Sequence, residues 1–382
     1  MTATATTTAA TAASFEPAEG EPTAGEEKAE NKCVSVIFNP TSGKTDPEAR
    51  MRAISEALAR HGYTCQFIAT TKEQGAKALA QQAVEDGADL VAVSGGDGTV
   101  MEVLSALVGT NVPVAVLPAG TGNLLSANLG IPMTVPEAVG VALSGSPYQL
   151  DLARSGDRYF AIMGGMGLDG KVIEEADRSA KDKLGVLAYF FATARNLGRA
   201  RASVRITLDD LPPLRRRAKS VVIANMGKMT GGLEAIPTAS PTDGLLDIGI
   251  VKVRTPGQWL RLLGYGLLGR AHDAPDLEVY QARRVRIVAS KPQPIQFDGE
   301  EGGHQIELTA EIVPGAVLIL VPEGAPATRD ANHPPAVVAR QTANRRLLVS
   351  AGTLALACVA GVWLVRRRRK SKEAASQFPS DL

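Results

Sequence analysis

The run LVAVSGGDGTVM, residues 90–101, decides how the chain is read. Leu90 to Val93 is a short apolar run of strand type. It is followed by Gly95-Gly96-Asp97-Gly98-Thr99 and then a helical pattern from about Thr99 to Val108. Three glycines let backbone N–H groups approach a bulky anion without Cβ clashes. An acid among them suits a polyphosphate only where a cation or a transferable proton is also present. Ordinary strand-to-helix turns seldom need three glycines around an acid. The segment therefore predicts a phosphate-handling turn in an α/β fold.

The pattern repeats on both sides. Val34 to Phe38 is a strand candidate running into Asn39-Pro40-Thr41-Ser42-Gly43-Lys44. Asp46 reads as an N-cap and Pro47 as the first helical residue, and Gly62 marks the stop. Val114 to Leu117 is a third strand, followed by Pro118-Ala119-Gly120-Thr121-Gly122-Asn123. The Asn-Pro-x-Ser-Gly turn alone is also an ordinary turn, and no Walker A loop occurs. Three such turns after successive parallel strands, however, line one crevice.

After Leu150 the character changes. Residues 203–208, 220–224, 246–253, 284–289 and 317–321 are short and β-branched, separated by polar or Pro-containing turns, which predicts an antiparallel sheet or sandwich. A longer helix is expected at 184–197. The expected organisation is a disordered tail over 1–32 and a phosphate-handling α/β domain over 33–150, the ATP-binding domain under the resemblance given below. A β-rich domain over 151–322, a linker over 323–346 and a tail over 366–382 complete it.

Composition narrows the function classes. The 382 residues carry a net charge of +1, so nucleic-acid binding has no electrostatic footprint. Three scattered cysteines and four His argue against a structural zinc site. The stretch 347–365 has no charge and no Pro and is bracketed by Arg345, Arg346 and Arg366 to Lys370. It is expected to be a transmembrane helix, giving a single-pass membrane protein with its catalytic body in the cytoplasm. The orientation of the basic tail stays open.

Taken in order, NPTSGK, GGDGT, PAGTGN, GGMGLD, TDGLLD and FDGE resemble the diacylglycerol kinase catalytic-domain family over about Cys33 to Pro322. That family is related to sphingosine and ceramide kinases. The resemblance implies a phosphofructokinase/NAD-kinase-like α/β domain followed by a β-sandwich, with ATP and Mg²⁺ as cofactors. It implies that Asn39, Pro40, Thr41, Ser42, Gly43, Thr71, Gly95, Gly96, Asp97, Gly98, Thr99, Val100, Met101 and Thr121 bind ATP. Ser240, Asp243 and Leu245 would hold a structural Mg²⁺, and Glu300 would be the general base, with Asp97 the alternative. Two departures, Leu124-Leu125-Ser126 after the third loop and Gly170, touch no expected catalytic group. The expected activity is transfer of a phosphoryl group to a membrane lipid, most simply diacylglycerol. A sphingoid base, ceramide or phosphatidylglycerol would also offer a hydroxyl. The bilayer and its lipid are the expected partners, with no nucleic acid, and homodimerisation stays open. An NAD kinase-like enzyme or a silent lipid-binding protein are the competing readings.

Overall fold

Alternation along β1 (Lys32–Phe38) shows how the first half is built. Val34, Val36 and Phe38 point to one face and Ile37 to the other, and both faces are buried. A strand apolar on both sides requires helices on both sides. In this computed structural model, which describes residues 32–167, 201–229 and 235–324, that requirement is met. Helices α1 (Pro47–Ala59) and α5 (Val135–Ser144) place Ile54, Leu58, Ala138 and Val139 against one face. Helices α2 (Ala76–Glu85) and α3 (Asp97–Ala106) place Leu79, Val103 and Leu104 against the other. A short α4 (Leu124–Leu129) follows the third loop. Strands β2 (Tyr63–Ala69), β3 (Val91–Gly95) and β4 (Val114–Pro118) complete a parallel set in which β1 pairs with β2 and β3, and β3 with β4. Asp46 caps α1 by accepting from the Ala49 N–H at 2.9 Å, with Pro47 opening the helix.

The second half is antiparallel. It comprises β5 (Ser146–Ser155), β6 (Arg158–Phe160), β7 (Met163–Met166), β8 (Ala202–Leu208), β9 (Leu214–Ala218), β10 (Ser220–Ala224), β11 (Leu246–Val251), β12 (Leu277–Ala282), β13 (Arg284–Phe297) and β14 (Glu300–Val321). Phe160, Ile206, Ile223, Ile248, Ile287 and Phe297 centre its core, the two rings 5.2 Å apart. Strand β14 joins the halves: it pairs antiparallel with β13 and β5, and parallel with β4 through Ile319 and Val114. The α/β body followed by a β-sandwich is thus the architecture observed.

Details differ from the sequence reading. The strands expected at 284–289 and 317–321 are parts of 14- and 22-residue strands. Pro292, Pro294 and Pro314 interrupt the alternation, and the ladder absorbs them as register shifts at Val288/Gln293, Pro294/Gln296 and Val313/Val317. A helix not foreseen, α6 (Pro256–Leu267), is closed by a capping box between Thr255 and Gln258. The helix expected at 184–197 lies outside the described residues.

The transmembrane helix and the single-pass membrane location are corrected. Among the described residues no helix is long and apolar enough to cross a membrane. The longest, α1, has 13 residues, roughly 20 Å, against a hydrocarbon core of about 30 Å. The segment 347–365, on which the expectation rested, lies outside the described residues. So do the tail before residue 32 and most of the expected linker.

Candidate active site

The three Gly-rich loops leave β1, β3 and β4 at the same edge of the parallel sheet, and they are bonded to one another. The Asn39 N–H donates to the Ser94 carbonyl at 2.9 Å, and the Asn39 amide donates to the Thr99 hydroxyl at 2.7 Å. Asn39 Oδ1 in turn accepts from the backbone and hydroxyl of Thr41 at 3.0 and 2.9 Å, which closes the turn over Pro40. The Ser42 hydroxyl accepts from the Gly96 N–H at 3.1 Å. Gly43 has a φ of +80°, and a Cβ there would fall 2.0 Å from the Ala119 carbonyl oxygen. Only glycine permits that approach. Gly96 and Gly120 are equally close, since a Cβ on Gly120 would lie 2.7 Å from Gly96 Cα.

Asp97 opens α3, where a carboxylate suits the helix N-terminus. Its Oδ1 accepts from the Leu125 N–H at 3.4 Å. The bare Cα of Gly122 leaves room for its other oxygen, because a Cβ there would sit 2.8 Å from Oδ2. Across the crevice, a Cβ on Gly98 would lie 3.4 Å from Glu300 Oε1. Glu300 is 66% exposed, and Arg158 reaches it at 3.9 Å. Glu300 stands two residues beyond Asp298, a non-Gly residue at φ 46°, and follows Gly299 at φ 92°.

Asp298 explains that turn. Its carboxylate accepts from the N–H groups of Ala161, Ile162 and Met163 at 2.7, 3.0 and 2.8 Å. Burial pushes its pKa up to about 6, opposed by the three N–H bonds and reinforced by the negative charge of Asp97. Asp298 thus clamps the Glu300 turn to the segment leading into β7 and lies within electrostatic reach of Asp97.

Of the residues singled out in the sequence, Asn39 to Gly43, Gly95 to Thr99 and Glu300 are brought together here, with exposed Thr121 on the third loop. Val100 is buried in the helix–sheet core, and Met101 is packed against it, so neither offers a side chain to the crevice. The Thr71 hydroxyl accepts from the N–H groups of Glu73 and Gln74, at 3.2 and 3.0 Å, and closes its own turn.

Ser240 to Leu245 forms a separate loop. The Ser240 and Thr242 hydroxyls are 3.5 Å apart, and Asp243 Oδ1 accepts from the Leu245 N–H at 3.1 Å. Among the described residues no group of three or more His, Cys, Asp or Glu side chains is arranged to hold a metal ion. The loop nevertheless presents only oxygens, two hydroxyls, a carboxylate and backbone carbonyls, which is the donor chemistry of a hard cation. The Asp151 carboxylate holds the loop from behind, accepting from the N–H groups of Gly244 and Gly315, both at 2.7 Å. Burial raises the Asp151 pKa against those two bonds. Asn225 then bridges the carbonyls of Asp151 and Ala161 at 2.8 and 2.9 Å, and Ala161 donates to Asp298. A continuous hydrogen-bonded chain therefore links the oxygen-rich loop to the Glu300 turn.

Sequence reasoning missed Arg50, Asp151, Asn225 and, as a residue with its own role, Asp298. Arg50 is 4% exposed, donates to the Ser42 carbonyl at 2.5 Å and to that of Asn39, and lies over the Phe38 ring at 4.3 Å. Its signal was an arginine one turn before Ile54 on the inward stripe of α1. Asp151 is a buried acid flanked by Leu150 and Leu152 in β5, and Asn225 directly follows the apolar run of β10, places where a polar residue is the informative one.

Residues 33–155 match the family described as the diacylglycerol kinase catalytic domain, and residues 163–321 match the YegS C-terminal NAD kinase beta sandwich-like domain. A diacylglycerol kinase of Mycobacterium tuberculosis is 30% identical over 301 residues, covering 76% of this chain and 95% of that protein. An uncharacterized protein of Synechocystis is 31% identical over 283 residues. That alignment takes in 69% of this chain and only 65% of the relative's length. A crystal structure of a putative diacylglycerol kinase from Bacillus anthracis superposes with a TM-score of 0.66 at 25% identity, covering 78% of this chain and 98% of that one.

Proposed function

This chain belongs to the diacylglycerol kinase family and is a lipid kinase, and from that premise we propose that it transfers the γ-phosphoryl group of ATP to the free hydroxyl of diacylglycerol. The observation that carries this reading is the convergence of the three Gly-rich loops with a carboxylate from the other half. Glu300 Oε1 lies 3.4 Å from where a Gly98 Cβ would be. Phosphoryl transfer asks little covalent help of a protein. It asks for placement of the phosphates, neutralisation of their charge and an acceptor for one proton.

The chain's residues divide these tasks. N–H groups at the start of α3, those of Gly98 and Thr99, hold the phosphates, while bonds made by the Asn39, Thr41 and Gly96 N–H groups and by the Ser42 and Thr99 hydroxyls fix the loops in shape and to each other. Glu300 takes the proton of the lipid hydroxyl as its oxygen attacks the γ-phosphorus and the bond to the β,γ-bridging oxygen breaks. Glu300 suits that task better than Asp97, which opens α3 and is engaged by the Leu125 N–H. Asp97 would face the phosphates and help to hold the cation that accompanies them. Ser240, Asp243 and the Leu245 backbone would hold a second Mg²⁺. A bound Mg²⁺ supplies charge neutralisation near the phosphates and rigidity in the 240–245 loop.

The test is an ATP-dependent phosphorylation assay on the purified full chain. Pure diacylglycerol, sphingosine, ceramide, phosphatidylglycerol and NAD are each offered, and products are identified by mass. Phosphatidic acid formed from diacylglycerol, at a rate well above the other acceptors, is the expected result. Preference for any other acceptor refutes the substrate assignment.

A further inference from the structure

The β8–β9 hairpin carries an arrangement that folding alone opposes. Its outward positions pair Arg205 with Arg215 and Ser203 with Arg217 across the two strands. Arg205, Arg215 and Arg217 are exposed. Like charges directly opposite in a sheet are destabilising. Arg201 stands beside Arg217 and Arg254; partial burial lowers its pKa, and the positive charges of Arg254 and Arg217 lower it further. The inward Arg216 is neutralised by Glu278, at 2.8 Å. Among the described residues, no carboxylate pairs with the five arginines at 201, 205, 215, 217 and 254. Five uncompensated guanidinium groups on one surface call for an anionic partner.

The neighbouring helix says which kind. Arg254 leads directly into α6, whose large apolar side chains leave much of their surface open. Leu260 within the helix is 55% exposed, and Leu268, its C-cap residue, 74%. The two are eight residues apart, with Gly264 between them, so they share one helical stripe. A nucleic acid would use the arginines and leave the leucines in water. A bilayer uses both: anionic headgroups meet the guanidinium groups, and leucines enter the acyl boundary. The patch is also close to the chemistry. Gly167 bonds to the Pro294 carbonyl at 2.7 Å, and its Cα packs so tightly on the Lys219 carbonyl that a Cβ would fall 2.6 Å away. The basic end of the hairpin therefore meets β13 four residues before Asp298, roughly 13 Å along the strand.

We propose that the β8–β9 arginines and the Leu260–Leu268 stripe of α6 form a docking surface for an anionic bilayer, laying the kinase on the membrane without crossing it. The proposal rests on the lipid-substrate reading above and names the surface from which that substrate is drawn.

The chain has two tryptophans, Trp259 in α6 and Trp363, which gives a local probe. In the full chain carrying Trp363→Phe, Trp259 fluorescence is titrated with vesicles of brominated phosphatidylcholine containing phosphatidylglycerol. Quenching is expected with these vesicles and much less with brominated phosphatidylcholine alone. Arg205→Gln with Arg215→Gln is expected to raise the lipid concentration for half-quenching about 30-fold, at about 1 kcal/mol per basic residue. Leu260→Ser with Leu268→Ser is expected to abolish quenching. Both pairs are surface changes, and turnover of detergent-dispersed diacylglycerol should stay at the wild-type level. Absence of quenching, equal quenching in the variants, or a response to a polynucleotide but not to vesicles overturns the proposal. Intact vesicle quenching with no phosphorylation of dispersed diacylglycerol would instead refute the substrate reading and leave the docking surface standing.

Discussion

Replacing Asp298 by Asn isolates the most unusual titration in the site. Asp298 is half-buried, and its pKa rises from near 3.8 to about 6, chiefly through burial of the carboxylate. A shift of about two units corresponds to roughly 3 kcal/mol. The sign follows from which state holds the proton more tightly. With the folded value above the unfolded one, the contribution to stability is fully present below about pH 4. It is lost as pH rises through about 6. Asn cannot titrate, and it tolerates the φ of 46°. Its Oδ1 keeps the bonds from Ile162 and Met163, while its NH₂ faces the Ala161 N–H. That leaves one buried donor unmet at a cost of about 1–3 kcal/mol. Asp151 and Asp247 are also shifted upward by burial, so the wild-type profile alone mixes several groups. The difference between wild type and Asp298→Asn removes them. Urea unfolding followed by circular dichroism from pH 4 to 7.5 should show the two proteins closest in stability at neutral pH. Wild type should pull ahead by about 3 kcal/mol toward pH 4. A gap that stays constant across that range refutes the account of Asp298 as an ionised, buried clamp.

Other expectations test other parts of the site. Glu300→Gln should lower kcat by about 10² to 10⁴ and leave the melting temperature unchanged, since the side chain is 66% exposed; wild-type turnover would remove Glu300 as the base. Gly120→Ala places a Cβ 2.7 Å from Gly96 Cα, so ATP should no longer raise the melting temperature of that variant in a thermal scan. Arg50→Leu leaves the Asn39 and Ser42 carbonyls without their donor, a loss of about 2–4 kcal/mol measurable by chemical denaturation, with a raised KM for ATP. Asp243→Ala should lose the Mg²⁺-dependent rise in melting temperature, worth about 2.7 kcal/mol in the wild type at 100 times Kd.

Much of the fold was legible because local chemistry and global architecture agree at the same residues. Asp46 and Pro47 announce α1, the apolar runs before each Gly-rich turn announce β1, β3 and β4, and the glycines themselves announce close backbone contacts. Where the local signal is broken, the reading shortened the element. Prolines at 292, 294 and 314 hid the continuity of β13 and β14, which the ladder keeps by shifting register. The capping box of α6 was visible as Thr255-x-x-Gln258, but the glycines at 257, 264 and 266 masked its periodicity. Val100 and Met101 were assigned to ATP binding through the family resemblance. A helix turns by about 100° per residue, and by that rotation they face the core instead.

Three of the groups that the sequence could not rank, Asp151, Asn225 and Asp298, share one property: their role lies in contacts more than sixty residues away along the chain, whereas Arg50 bonds to carbonyls 8 and 11 residues away. Asp298 is 135 to 137 residues from the N–H groups it accepts from, and Asp151 is 93 and 164 residues from its own. Asp298 is a short acid in a turn and Asp151 one in the middle of β5, and neither has a local pattern that announces its role. Yet these acids decide whether the Gly-rich loops have anything to work with. The loops come from the α/β half and Glu300 from β14, the strand that also pairs with β4. One strand therefore both completes the parallel sheet and carries, at its start, the carboxylate proposed as the base. Movement that separated the halves would have to break the Ile319–Val114 register and the Asp298 clamp together. The placement of the Glu300 turn against the Gly-rich loops is thus fixed by the sheet, and the freedom left to the site lies in the exposed Glu300 side chain.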